Sequence, residues 1–208
     1  MQNPEELLVN VELPFSAAAE RNAEPIAKKL SELSTENSLN VLEIGSGTGQ
    51  HVAFFADRIS SWRFQPSDRN DEYFDAIRQR SRHLTNVEEP IVVDLLHGER
   101  WPDGRNFDLV LAINVFQVAP IEVVEALYRL AARALKPNGC IVTYSPLTHQ
   151  GRFSSDGDAA FNQRLRERDP KLGIRSLETL KQGAETYGFN TVTEFPMPAN
   201  NWLTLARK

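Results

Sequence analysis

The sequence predicts an α/β fold, a three-layer sandwich of a mostly parallel sheet with helices on both faces, from three observations. Strand-like and helix-like stretches alternate from Leu39 onward. An apolar run collapses into three glycines two residues apart, NVLEIGSGTGQH, and a helix pattern opens directly after them. Carboxylates stand at the ends of the first three strand-like runs. Strands joined by crossover helices produce this alternation.

The first element is an N-terminal helix over about 15–34, with Ser16 as N-cap and Ala23, Ile26, Ala27, Leu30 and Leu33 at helical spacing. LNVLEI is the first strand. A helix from Gln50, the strand WRFQPSD, a helix over 71–82, and the strands IVVDLL and FDLVLAINV follow. Pro120 suits the first turn of a long helix, whose Ile121, Val124, Leu127, Tyr128, Ala131 and Leu135 form one apolar stripe that KPNG ends. CIVTYS is a fifth buried strand. The polar stretch over about 147–175 holds one short helix near Asp156 and no strong strand, the pattern of a lid or substrate loop. A last helix runs from Ser176 as N-cap to Gly188, and NTVTEFPMP and WLTLAR are joined closely enough by ANN to pair antiparallel.

A chain of 208 residues suits one domain over 1–208. Its net charge of -5, with both signs interspersed, forms no basic stripe and makes nucleic acid an improbable partner. The single Cys140 leaves no internal disulfide and no multi-cysteine metal site, which suits a reducing, cytoplasmic setting. The start MQNPEELLVNVELPF lacks a signal peptide's basic opening and apolar core, and no run of about 18 apolar residues occurs, so no membrane partner is expected.

Gly45, Gly47 and Gly49 let the backbone turn tightly and let a ligand approach where a Cβ would clash. A dinucleotide fingerprint wants G-x-G-x-x-G, yet its third glycine falls at Gln50, and no P-loop lysine follows. Glu43, two residues before the loop, is a poor neighbour for phosphate and a good one for a cation. Asp68 ends the second strand about 20 residues on, where a carboxylate accepts both ribose hydroxyls. Asp94 ends the third and suits an exocyclic amine, with Leu95 covering an adenine face. As alternatives, Asp68 caps the next helix and Asp94 is a solvated loop carboxylate. Together the three acids describe a pocket for an adenosine without phosphates and with a positive tail.

These residues resemble the class I S-adenosylmethionine-dependent methyltransferases, through VLEIGSGTG and the acid at Asp68. More narrowly, AAERNAEPI, SGTGQH, WRFQPSD, RDPKLGIR and MPANN look like the methyltransferase-like 26 family, over about 15–207. The resemblance implies a Rossmann-like, seven-stranded sheet with an antiparallel last strand. It implies S-adenosyl-L-methionine as cofactor, S-adenosyl-L-homocysteine as product and no metal. The loop from Gly45 through Ser46 to Gly49 would then hold the methionine part, Asp68 the ribose, the Asp94 region the adenine, and Asn114 and Val115 would lie beneath the sulfonium. NVFQ is not the Asn/Asp-Pro-Pro-aromatic motif of amino-group methylation, which demotes adenine and glutamine as acceptors.

A small-molecule acceptor is expected, since the chain has no extra domain for gripping a macromolecule. His149 ranks first as a base, beside Tyr144 and Asn114, with a solvated loop histidine as the alternative. Gln117, Asn200 and Asn201 are candidate substrate contacts, although asparagine is also favoured in turns. Arg21 and Asn22 reach for the cofactor's carboxylate or the substrate, or Arg21 pairs with Glu20 or Glu24. His51 could touch cofactor or acceptor, or be structural. Arg152, Arg166, Arg168 and Arg175 could meet an acidic substrate. The competing functions are a cofactor-binding sensor or partner subunit without turnover and, weakened by Gln50, a nicotinamide oxidoreductase.

Overall fold

The computed structural model describes residues 13–33, 38–98, 101–102, 104 and 106–208. The opening stretch 1–12 and the predicted end of the first helix at Ser34 lie outside them. The strands are β1 (Asn40–Ile44), β2 (Arg63–Asp68), β3 (Ile91–Val92), β4 (Phe107–Ile113), β5 (Leu135–Thr148), β6 (Arg175–Ser176), β7 (Thr191–Met197) and β8 (Asn201–Arg207). Helices are α1 (Ala17–Leu33), α2 (Gln50–Arg58), α3 (Phe74–Ser81), α4 (Glu122–Ala134), α5 (Asp156–Arg168) and α6 (Leu177–Thr186).

The sheet's main path has seven strands in the order β3-β2-β1-β4-β5-β8-β7, and β8 runs antiparallel to both of its neighbours. The two-residue β6 pairs parallel with the far end of β5, a pairing too short to leave a sequence pattern. Central strands β1 and β4 are near-continuous apolar runs because helices cover both faces. On one face Ile26, Leu30, Val52, Phe55 and Ile77 from α1, α2 and α3 pack with Leu109, Leu111, Val142 and Tyr144. On the other, Leu127, Tyr128, Leu130, Leu180 and Ala184 of α4 and α6 pack with Leu42, Val110 and Ile141. Burying Ile26 and Leu30 holds α1 to the sheet by roughly 1.5–3 kcal/mol each.

Local differences from the sequence expectation have local causes. Strand β3 stops at Val92, so Asp94 lies in a turn beyond it. Ile121 is 51% exposed and precedes α4, outside the buried stripe, and Leu135 opens β5. KPNG is a bulge, with Asn138 at φ 66°, that moves the β4 pairing from Phe107↔Leu135 to Leu109↔Cys140. The stretch read as a lid contains α5, thirteen residues capped by the Ser155 hydroxyl, and β6. Among the described residues no helix is long and apolar enough to cross a membrane.

Candidate functional site

Strand order reverses between β1 and β4, since β2 and β3 lie beyond β1 while β5 lies beyond β4. Such switch points leave a crevice at the carboxyl edge of an open α/β sheet. Here the glycine loop fills its floor. Ser46 N–H donates to the Ser67 carbonyl at 2.8 Å, and Gly49 N–H to the Ser46 carbonyl at 3.0 Å, fixing the loop between β1 and β2. All three glycines have positive φ. A Cβ on Gly49 would stand 2.9 Å from Ile77 Cα, whereas one on Gly47 would meet nothing within 4 Å. Gly49 is therefore glycine for helix packing, and Gly47 opens onto free space.

The three acids have separate environments. Glu43 is 2% exposed, its Oε2 has no hydrogen-bond partner, and burial pushes its carboxyl up to about 7, with Ser46 pulling the other way and Asp68 adding to the rise. A positive group beside it would favour the ionised form. Asp68 Oδ2 accepts from Gly47 N–H at 2.8 Å and Oδ1 from Arg69 N–H at 2.7 Å, so this carboxylate shapes the loop and keeps lone pairs for a ligand. Asp94 serves its own turn. Its Oδ1 accepts from the Leu96 and His97 N–H groups and its Oδ2 faces His97 Nδ1 at 2.8 Å. Burial would raise the Asp94 carboxyl, but these contacts hold it below its usual value.

A cavity of about 360 Å³ lies over this floor, within the range of small-ligand pockets. Gly45, Gly47, Asp68, Asp94, Leu95, Asn114 and Val115 line it, with Arg168 of the expected arginines, and so do Arg69, Asn70, Tyr73 and Pro120, which the motif reading did not single out for the site. The first three of these additions simply follow Asp68 into the next turn, and only the adjacency of β2 to the loop could have flagged them. Asn114 holds φ 56°, left-handed for a non-glycine residue, as its N–H donates to the Tyr144 carbonyl at 2.7 Å. The Asp68 carboxylate and the open space above Gly47 line this cavity, and the orphan Glu43 oxygen is buried two residues before the same loop, a set of groups whose chemistry fits an adenosine with a positive tail. Among the described residues no cluster of three or more His, Cys, Asp or Glu is placed to hold a metal ion.

The start of α1 roofs the second turn of this region. Gln50 bonds both main-chain groups of Ser16, and Arg80 donates to the Thr48 carbonyl at 2.9 Å and the Pro14 carbonyl at 2.6 Å. Asn22, buried, meets His51 Nε2 through its Oδ1 at 2.7 Å. It also lies beside the Tyr144 hydroxyl, where it and Arg21 partly offset the upward push of burial on the phenol. Burial depresses His51 to about 4. Arg21 forms no ion pair with Glu20 or Glu24 among the described residues; Glu24 pairs with Arg58 at 2.7 Å.

Other expected site residues fall elsewhere. His149 packs against Trp202, with ring centroids 4.3 Å apart and planes tilted by 49°, and stands 3.6 Å from Glu194, on the α4/α6 face, opposite the face that holds Tyr144. Residues 144 and 149 differ by an odd number, so a strand's alternation separates them. Gln117 is buried, donates to Asn114 Oδ1 at 3.1 Å and keeps an unpartnered Oε1 beside the cavity wall. Asn200 ties the β7–β8 turn to Ser155 at 3.1 Å, and Asn201 bonds the Pro198 and Ala199 carbonyls. Both shape the turn, with Ala199 and Asn200 at φ 57° and 58°. Arg175 is buried, not solvent-facing, and clamps the Phe116, Ala119 and Lys171 carbonyls. Arg168 alone of the four arginines lines the cavity.

The chain belongs to the family described as a protein of unknown function, DUF938, whose model matches residues 13–208. Its fold is that of solved methyltransferases. It is similar to an O-methyltransferase family protein from Burkholderia thailandensis, with TM-score 0.77, 17% identity and 92% of this chain against 58% of that one. Human N-acetylserotonin methyltransferase in complex with SAM gives TM-score 0.74 and 16% identity over 92% of this chain and 54% of that one. An O-methyltransferase family 2 protein from Planctomyces limnophilus in complex with apigenin gives TM-score 0.71 and 17% identity over 92% and 60%. The chain thus spans a little over half the length of these structures.

Proposed function

We propose that the chain, in the cytoplasm, transfers a methyl group to a small-molecule acceptor from S-adenosyl-L-methionine, the cofactor implied by its resemblance to the class I methyltransferases and, more narrowly, to the methyltransferase-like 26 family. The observation that carries this reading is the crevice at the β1/β4 switch point, where Gly47 opens onto free space beside Asp68 and the orphaned carboxyl of Glu43 lies buried two residues before the loop. The relatives named with SAM and with apigenin support a sulfonium cofactor and a small acceptor.

In this reading Asp68 accepts the ribose hydroxyls, Leu95 covers the adenine, and Glu43 answers the positive tail across the loop. The Asp94 carboxylate already serves its turn, so the adenine's amine is left to the neighbouring turn's backbone. Asn114 and Val115 border the reacting end. When bound, the cofactor supplies an electrophilic methyl group for in-line displacement. The chain's own work is to align the acceptor and exclude water from it. The helix α5 and Arg168 form the lid side, and Gln117 is kept as a contact near Asn114.

The test is incubation of the purified chain with methyl-labelled cofactor and the small-molecule fraction of a cell extract. Label appearing in a small molecule supports transfer. Tight binding of the cofactor with no label in any of several extracts would make the chain a sensor or partner subunit instead.

A further inference from the structure

The contact between Asn22 and His51 fixes more than a helix position. Asn22 Oδ1 can only accept a hydrogen bond, so the 2.7 Å contact makes His51 Nε2 the N–H of a neutral ring. The amide's other end then faces the Tyr144 hydroxyl, the orientation in which its N–H groups relieve the phenol. The lone pair of the imidazole is left on Nδ1, which makes no hydrogen bond among the described residues. Stacking on Phe55, at 5.6 Å between centroids, holds the ring plane.

The position matters as much as the tautomer. His51 lies two residues past Gly49 on the helix the glycine loop opens, and Tyr144 is the register partner of Ile113, which lines the cavity. Arg21, close enough to Tyr144 to act on its phenol, adds a positive charge to this region. We propose that the acceptor approaches the reacting end of the cavity from the side where α1 and α2 start, that it is a weakly acidic hydroxyl or thiol compound, and that His51 Nδ1 receives the acceptor's proton while Asn22 acts as its positioning residue. The inference rests on the methyltransferase reading. The acceptor's O–H or S–H bond breaks toward Nδ1. Its electron pair forms the bond to the methyl carbon, and the carbon–sulfur pair stays on the donor sulfur. Positive charge leaves the sulfonium as it arrives on the imidazolium, so the net charge of the site is unchanged and the half-buried ring can accept the proton.

Nitrogen-15 NMR of histidine-labelled protein saturated with S-adenosyl-L-homocysteine reads the tautomer directly. The expected spectrum shows His51 as Nε2–H, kept in Asn22→Asp, which preserves Oδ1, and lost in Asn22→Leu. In the labelled-methyl assay His51→Gln should slow transfer at least about 100-fold while binding S-adenosyl-L-homocysteine within about twofold of the wild type. A Nδ1–H tautomer, transfer by His51→Gln at the wild-type rate, or loss of S-adenosyl-L-homocysteine binding in that variant overturns the proposal. Failure of the underlying reading shows separately, as absence of binding or of any labelling in the wild-type chain.

Discussion

Gln50 holds Ser16 by both of its main-chain groups: Oε1 accepts from the Ser16 N–H, and Nε2 donates to the Ser16 carbonyl at 3.2 Å. The residue that removes the dinucleotide fingerprint is therefore also the latch that lays the start of α1 beside the glycine loop. Gln50→Ala should cost about 1–2 kcal/mol of stability, from two hydrogen bonds. Hydrogen exchange should localise the effect, with protection lost over the first turns of α1 and kept in β4.

Glu43 gives a pH signature. Its folded-state value, about 7, exceeds the ordinary 4.5 because the charged form is desolvated. Below 4.5 it is neutral folded or unfolded and costs nothing; as pH rises to about 7 and beyond, stability falls by roughly 3 kcal/mol. Denaturant titrations of Glu43→Gln should lack that fall. A ligand with a positive tail favours the ionised form, so its affinity should rise with pH across the same window, and Glu43→Gln should flatten the rise.

Two glycine substitutions should separate fold from site. Gly49→Ala drives a Cβ to 2.9 Å from Ile77 at φ 77° and should cost roughly 2–4 kcal/mol. Gly47→Ala meets only open space and should cost about 1–2 kcal/mol from its φ of 51°, yet weaken S-adenosyl-L-homocysteine binding at least about tenfold. Calorimetry and denaturant melts on both variants make the comparison.

His149 belongs to the packing between β5, β8 and α6. His149→Ala should lose the Trp202 ring contact, about 0.5–1.5 kcal/mol, and leave the labelled-methyl transfer rate within about twofold. A slowing of transfer by about 100-fold would return His149 to the site as its base.

The fold was legible where periodicity is dictated by burial. Strands covered on both faces, such as Leu109–Ile113, read as apolar runs, and caps such as Ser16 and Ser176 announce their helices by satisfying an N–H. The glycine loop was legible because three glycines in register have few other uses. Partners across the fold were not: nothing local to Gln50 names Ser16, and nothing local to His51 names Asn22, 29 residues earlier. The face on which His149 falls was likewise hidden, since which face of β5 a loop residue continues depends on where the strand ends. Asp94 looked like a strand-end acid because an Asx turn and a strand end share the same residue preference.

Asp68 is the acid on which the cofactor reading turns, because its carboxylate both shapes the loop through Gly47 and remains open to the cavity. Isothermal titration of the wild-type chain and Asp68→Ala with S-adenosyl-L-homocysteine is the most direct measurement. One-to-one binding by the wild type, weakened by roughly 1.5–3 kcal/mol in the variant, is the predicted result. No binding by the wild type, or unchanged affinity in Asp68→Ala, would contradict it.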